Sequence, residues 1–367
     1  MVIVLLLGSF TTVFSETLLN NGLPTIMREV HVDEMTVQWL STGYMLVAGI
    51  TMPLAAFLIK SVRLKILFTS TMTIFLTGTV IAMLAPNFLL LLLGRLIEGI
   101  AVGVNMPLIP SALSLIYPME RRGTVMGLAG IIVNLGPALG PTVSGIIVDY
   151  YSWRMLFIIL VPITAIIIFA TQFCVKNVVE TSANDLDTIS VIAATLGLGM
   201  LLYGLGRIGQ TGRIGIATII LLIAGALVTA FFVRRQLQLE HPLLEMKIYQ
   251  APSFRLGALL ALINTSSLMA TELMLPLFNQ NVLRVTPMVS GFMLIPSAVV
   301  MAVMSPLAGR IYDVVGIKKV ALIGMGVGLL FTIPMIFYRP QTGPGTVVIM
   351  YALRSGALQL AYSPVMV

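Results

Sequence analysis

The sequence predicts an all-α integral membrane protein of about twelve spanning helices, and three observations carry that reading. Of 367 residues, 58% are hydrophobic and only 10% charged, against about 25% charged in an ordinary soluble domain. Mean hydropathy is +1.04. Apolar runs of about 20 residues, the length a helix needs to cross a bilayer, recur along the chain, and the two-residue alternation of a membrane barrel is absent. The single cysteine, Cys174, excludes an internal disulfide framework and a multi-cysteine metal site. His31 and His241 both fall in loops, which leaves no histidine centre inside the membrane. The net charge of +7 reads as topology rather than as a nucleic-acid surface, because lysine and arginine gather in the cytoplasmic loops of membrane proteins.

The first span covers 2 to 23. No cationic region precedes it and no small-residue cleavage site closes it, so it is not a signal peptide. Further spans are expected at 39 to 59, 66 to 84, 88 to 110, 125 to 148, 154 to 175, 188 to 206, 214 to 233, 256 to 278, 288 to 307, 320 to 338, and 347 to the end. Odd and even spans run in opposite directions, which sorts the loops into two sets. One holds Lys60, Arg63, Lys65, Arg121, Arg122, Lys176, Arg234, Arg235, Lys247, Arg255, Arg310, Lys318 and Lys319. The other holds Arg28, Arg154, Arg207, Arg213, Arg284 and Arg339. The larger set, and with it the amino terminus, is assigned to the cytoplasm by the positive-inside rule. Arg95 and Arg354 lie within spans.

An internal repeat organises these spans. PLAAFLIKSVRLK, Pro53 to Lys65, aligns with PLAGRIYDVVGIK, Pro306 to Lys318, and each copy joins two spans across a short basic loop. A second echo pairs GRLIEG around Arg95 with LRSG around Arg354. Transporters with a site between two related helix bundles are built from repeats of this kind. The position of the second copy places two extra spans, seven and eight, between the bundles. The expected division is an amino-terminal six-helix bundle over 1–176, two inserted spans and a cytoplasmic loop over 177–249, and a carboxyl-terminal bundle over 250–367. That last bundle holds four of six expected spans, so the chain is expected to continue by about two spans beyond Val367.

Several motifs now become specific. GRIYDVVGIKK, Gly309 to Lys319, resembles the loop signature of the major facilitator superfamily. GRLIEGIAVG, around Arg95, resembles its span-four arginine motif, and LGPALGP, Leu135 to Pro141, the span-five motif that marks its antiporters. With ETLLNNGLPTI, QWLSTGYML and DYYSWRMLFIILVP, the set is similar to the fourteen-span drug:proton antiporter family over essentially the whole chain. The resemblance implies the major facilitator fold, with about 12 of 14 helices present. It also implies a proton-coupled exporter of amphipathic or cationic drug-like compounds, working by alternating access in a bacterial cytoplasmic membrane.

The motifs also have direct physical readings. Gly136, Gly140 and Ser144 recur every four residues and stack small side chains on one helix face, which lets another backbone approach; Pro137 and Pro141 bend the helix. The resemblance implies that this face packs against the opposite bundle. In the basic loop, Gly309, Arg310, Asp313, Gly316 and Lys318 form a cytoplasmic gate, with Asp313 capping a helix or pairing with an arginine. The first copy departs from the pattern, with Lys60 at the aspartate position and Arg63 at the central glycine position.

Charges inside spans cost about 2.5 to 3.5 kcal/mol each and call for a partner or a purpose. Glu16, Arg95, Glu98 and Glu272 are the candidates for proton coupling, since a buried carboxylate gains or loses a proton as its surroundings change. Arg95 and Glu98, one turn apart, read equally as a static pair. Asn20, Asn21, Asn134, Asn264 and Gln359 are expected to line the substrate cavity, because polar groups seldom face lipid. No nucleotide-binding loop or zinc-binding histidine pair appears, so an enzyme is not expected. The driving force is expected to be the proton gradient, with no cofactor. The expected partners are small molecules, protons and membrane lipids, with no nucleic acid, and the expected state is a monomer. The rival reading keeps the fold and exports a lipid, peptide or metabolite.

Overall fold

Backbone amides cannot be left unpaired in hydrocarbon, and a chain this apolar satisfies them within helices. The computed structural model describes residues 1–20, 22–118, 136, 139–177, 187–212, 215–239 and 242–362, and no strand occurs among them. In chain order the helices are α1 (Val2–Asn20), α2 (Leu23–Glu29), α3 (Glu34–Val37), α4 (Trp39–Ser61), α5 (Leu64–Leu84) and α6 (Phe88–Ile116). Residues 139–150 form α7. There follow α8 (Met155–Cys174), α9 (Thr188–Thr211), α10 (Ile216–Gln238), α11 (Pro252–Asn281), α12 (Pro287–Val315), α13 (Ile317–Thr332) and α14 (Pro344–Tyr362).

Ten helices among the described residues are long and apolar enough to cross a membrane. Of the twelve expected spans, the fifth is described only at 136 and from 139 onward. The twelfth appears as α14, which stands outside the ten and carries Arg354, Ser355 and Gln359 within its length. Helices α6 and α12 run past the expected ends at 110 and 307. A helix continues while its amides remain paired, whereas hydropathy marks only the apolar stretch.

Threonines are frequent inside these helices, and their hydroxyls are satisfied locally. Thr51, Thr73 and Thr171 each donate to the carbonyl four residues back at 2.7 to 2.8 Å. Caps complete the ends: the Asn87 side chain accepts from the Leu90 amide at 3.0 Å and starts α6 after the turn from α5.

The helices group into two compact units. The first comprises 1–12, 30–122 and 157–248. In it α6 packs along both α4 and α5, while α9 and α10 pair with each other and α9 also meets α4. The first basic loop belongs to this unit. Its missing aspartate and glycine are matched by a different tie: Lys65 Nζ donates to the Gln172 carbonyl at 2.6 Å, and its amide donates to the Asn177 side chain at 3.2 Å. The second unit comprises 13–29, 123–156 and 249–367, and in it α14 touches α11, α12 and α13. Its core includes Leu275, Met293, Leu294, Val347 and Tyr351.

Candidate transport site

In the first unit, α6 carries Arg95 and Glu98, both fully buried. Three-residue helical spacing puts them on one face, and Arg95 Nη1 donates to Glu98 Oε2. The rest of the network is drawn from neighbouring helices. Thr79 of α5 donates to Glu98 Oε1 at 2.7 Å, Arg95 Nε reaches the Leu40 carbonyl at 3.4 Å, and the guanidinium lies 4.0 Å from the centre of the Tyr44 ring. Tyr44 in turn donates to the Thr12 carbonyl at 2.9 Å. A buried pair needs such extra hydrogen bonds to offset its desolvation. The network ties α6 to α4, α5 and α1.

The span-five motif belongs to the second unit. Gly136 and Gly140 face α1: a methyl group on Gly140 would stand 2.9 Å from Thr17 Cβ and 3.1 Å from the Leu18 amide nitrogen. Thr17 donates across the gap to the Gly136 carbonyl at 3.1 Å. The contact with α12 is made by the adjoining residues. A methyl on Gly291 would lie 2.5 Å from the Pro141 carbonyl oxygen and 2.7 Å from Thr142 Cα, and Thr142 donates to the Gly291 carbonyl at 3.0 Å. Helix α7 is therefore seated against α1 on its glycine ridge and against α12 through Pro141 and Thr142. Ser144 is fully buried on the same helix.

Glu16, one turn from Asn20 on α1, is 6% exposed, and Glu272 of α11 is 9% exposed. The two carboxyl groups interact electrostatically. Tyr351 of α14 interacts electrostatically with Glu272 and with the guanidinium of Arg354. Asn20, Asn264 and Gln359 are all buried, and Asn264 Nδ2 donates to the Leu358 carbonyl at 3.0 Å, joining α11 to α14. Glu16 and Glu272 thus interact electrostatically within the second unit, while Arg95 and Glu98 form a network of their own.

Asn21, Asn134 and Pro137 lie outside the described residues, as do the side chains of Arg310 and Asp313. Gly309, Arg310 and Asp313 are helical, near the end of α12, and Lys318 is exposed at the start of α13. Gly316 alone links these two helices, at φ 78° and ψ 161°. That backbone region is open essentially to glycine only.

Three features were not singled out from the sequence. Gly291 had no motif to mark it. Trp153 is buried and donates to Glu29 at 2.8 Å, with Arg154 stacked 4.3 Å from its ring centre. Asp187, at the start of α9, accepts from Arg235 of α10 at 2.7 and 2.8 Å. Only the tryptophan had a signal, the SWR run at the head of span six.

The model of the Major Facilitator Superfamily matches residues 5–367. The chain is 38% identical over 362 residues to the MFS-type transporter YcnB of Bacillus subtilis, covering 99% of this chain and 77% of the relative. It is 31% identical over 362 residues to the lincomycin resistance protein LmrB of Listeria monocytogenes, covering 98% and 76%. Among solved structures, a POT family transporter in complex with a thioalcohol-conjugated peptide shares the fold with a TM-score of 0.71 at 16% identity, over 99% of this chain and 82% of that one. With its many apolar helices, this multi-pass membrane protein is a transporter and not an enzyme, and it belongs to the Major Facilitator Superfamily.

Proposed function

We propose that the protein is a proton-coupled efflux antiporter for amphipathic or cationic drug-like compounds. The observation that carries this reading is the pair of buried carboxyl groups, Glu16 and Glu272, interacting within one unit. Two like charges in a poorly hydrated place resist simultaneous ionisation, so such a pair takes up a proton or a cation in exchange. The glycine ridge of α7 supports the reading, because closely packed small residues give a seam along which helices rearrange. The resistance role in the name of LmrB agrees with it.

The proton gradient drives the cycle without a cofactor. The protein acts as a monomer in the bacterial cytoplasmic membrane with its amino terminus in the cytoplasm, and in chain order its two inserted spans follow a six-helix bundle and precede a second, related one. Cells that express the full-length gene should accumulate less of a cationic dye, and a proton uncoupler should remove the difference. Equal accumulation with and without the protein, for every cationic dye tried, would sink the proposal.

A further inference from the structure

A guanidinium inside a membrane span needs a counter-charge. The protein provides one for Arg95 and, among the described residues, none for Arg354. Both arginines are buried, at 0% and 2% exposure, on the helices that carry the echoed motifs, α6 and α14. Three residues after Arg95 comes Glu98; three residues after Arg354 comes Ala357. Neutral oxygens take the place of the carboxylate. Arg354 Nε donates to Thr332 Oγ1 at 2.9 Å, and Nη2 donates to the Ser267 carbonyl at 2.8 Å and to the Ser267 hydroxyl. These bonds fix the plane of the guanidinium and leave Nη1 buried with no hydrogen-bond partner.

The surroundings indicate what Nη1 is for. Ser267, which grips the guanidinium, sits on α11, the helix that also carries Glu272. Glu272 Oε1 is likewise buried without a hydrogen-bond partner. Tyr351, one turn before Arg354 on α14, interacts with both charges, yet no ion pair joins Glu272 to Arg354. A buried cationic donor and a buried carboxyl oxygen, each open and each carried by its own helix, therefore both interact electrostatically with one tyrosine. Left apart, they match a molecule carrying both signs of charge.

We infer that Arg354 is the anion-receiving group of the transport site, and that the protein's substrates include amphoteric molecules whose carboxylate binds Arg354 while their cationic group is held at Glu272. This deepens the efflux reading and rests on it for the word substrate. The binding chemistry stands by itself. A carboxylate on a guanidinium gains charge-assisted, bidentate hydrogen bonds, which are about twice as strong as neutral ones.

The test uses the full-length protein in lipid nanodiscs with no gradient across them, so proton coupling does not enter. Thermal unfolding is followed with aminomethylbenzoate, benzoate and benzyl alcohol as probes. Aminomethylbenzoate should stabilise the parent protein most, benzoate less, and benzyl alcohol not at all. Arg354→Gln should weaken the apparent affinity for both carboxylates by about tenfold or more. Glu272→Gln should remove only the advantage of aminomethylbenzoate over benzoate. Because Arg354→Gln also loses the bonds to Ser267 and Thr332, Ala357→Glu is the companion variant. It supplies an internal carboxylate at the spacing of Glu98, keeps the guanidinium in place, and should abolish stabilisation by benzoate. A parent protein that benzoate stabilises no more than benzyl alcohol does would overturn the inference, and so would an Ala357→Glu protein that responds to benzoate like the parent. Failed dye efflux alongside intact benzoate stabilisation would overturn the coupling proposal alone.

Discussion

Thr17 of α1 occupies the space that a side chain on Gly140 of α7 would need: a methyl there would stand 2.9 Å from Thr17 Cβ. The same threonine donates to the Gly136 carbonyl at 3.1 Å, so one residue both fills the gap and ties the helices together. Backbone-close contacts of this kind hold membrane helices together through packing and cross-helix hydrogen bonds rather than through exclusion of water.

Gly140→Leu should therefore abolish efflux while leaving membrane insertion intact. Gly140→Ala should cost about 1–3 kcal/mol through overpacking, and Thr17→Ala in the same protein should recover part of that loss. A double-mutant cycle of thermal stability in detergent measures the coupling. Strict additivity, together with normal efflux by a well-expressed Gly140→Leu protein, would mean that the seam carries no function.

Gly316 presents a separate constraint. It links α12 to α13 in a backbone conformation that other residues avoid, and nothing lies within 4 Å of where its side chain would start. The cost of substitution is thus conformational rather than steric. Gly316→Ala should destabilise the junction by about 1–3 kcal/mol. Arg63→Gly, at the matching place in the first loop, should bring no comparable gain, because Arg63 already sits at φ −57° and ψ 132°. Hydrogen exchange of the α13 amides tests this: protection in Gly316→Ala equal to that of the parent would refute it.

How much of this was legible follows from the physics of each feature. Span positions were readable because a bilayer imposes one length and one composition on every crossing. The pairing of Arg95 with Glu98 was readable as one of two alternatives, since helical spacing puts them on one face. The Thr79, Leu40 and Tyr44 partners come from other helices and leave no mark in the local sequence. The small residues of α7 announced a close helix contact, but the ridge alone does not specify α1 as its neighbour, nor Gly291 as the place where α12 meets Pro141. Arg354 was visible only as an echo of Arg95. That it is gripped by Ser267 and Thr332 depends on three helices meeting, which sequence spacing within one helix cannot express.

Asp187 and Arg235 clip α9 to α10 by two hydrogen bonds, with the side chains 18% and 30% exposed. The hydrogen bond from Arg235 lowers the Asp187 carboxyl from 3.8 to about 2. A depressed carboxyl stabilises the folded protein at pH values above its unfolded value, and the contribution is lost as the pH falls from about 4 towards 2. Solvent screening at this rim position limits it to about 1 kcal/mol. Asp187→Asn should therefore lower stability by that amount at pH 7, and the gap between variant and parent should close on acidification through that window. A gap that stays constant from pH 6 to pH 3 would assign the loss to another cause.

Glu16 is the most exacting test of the proposed exchange. It is buried on α1 one turn from Asn20 and interacts with Glu272. Ionisation of either group opposes ionisation of the other, so the pair passes readily between a protonated and a cation-binding state. Glutamine keeps the size and hydrogen bonding of a protonated glutamate and removes the exchange. Glu16→Gln should insert normally, lose uphill efflux driven by a pH gradient, and bind cationic dyes more weakly with a flatter dependence on pH. It should also relieve Glu272 of its like-charged neighbour, so Glu272→Gln made on top of Glu16→Gln should add less to the binding defect than it does alone. The measurement is dye efflux from proteoliposomes under an imposed pH gradient, paired with equilibrium dye binding at several pH values. If Glu16→Gln pumps a cationic dye against its gradient as well as the parent does, Glu16 is not a coupling group, and Glu272 becomes the sole carboxyl of the pair on which the exchange can rest.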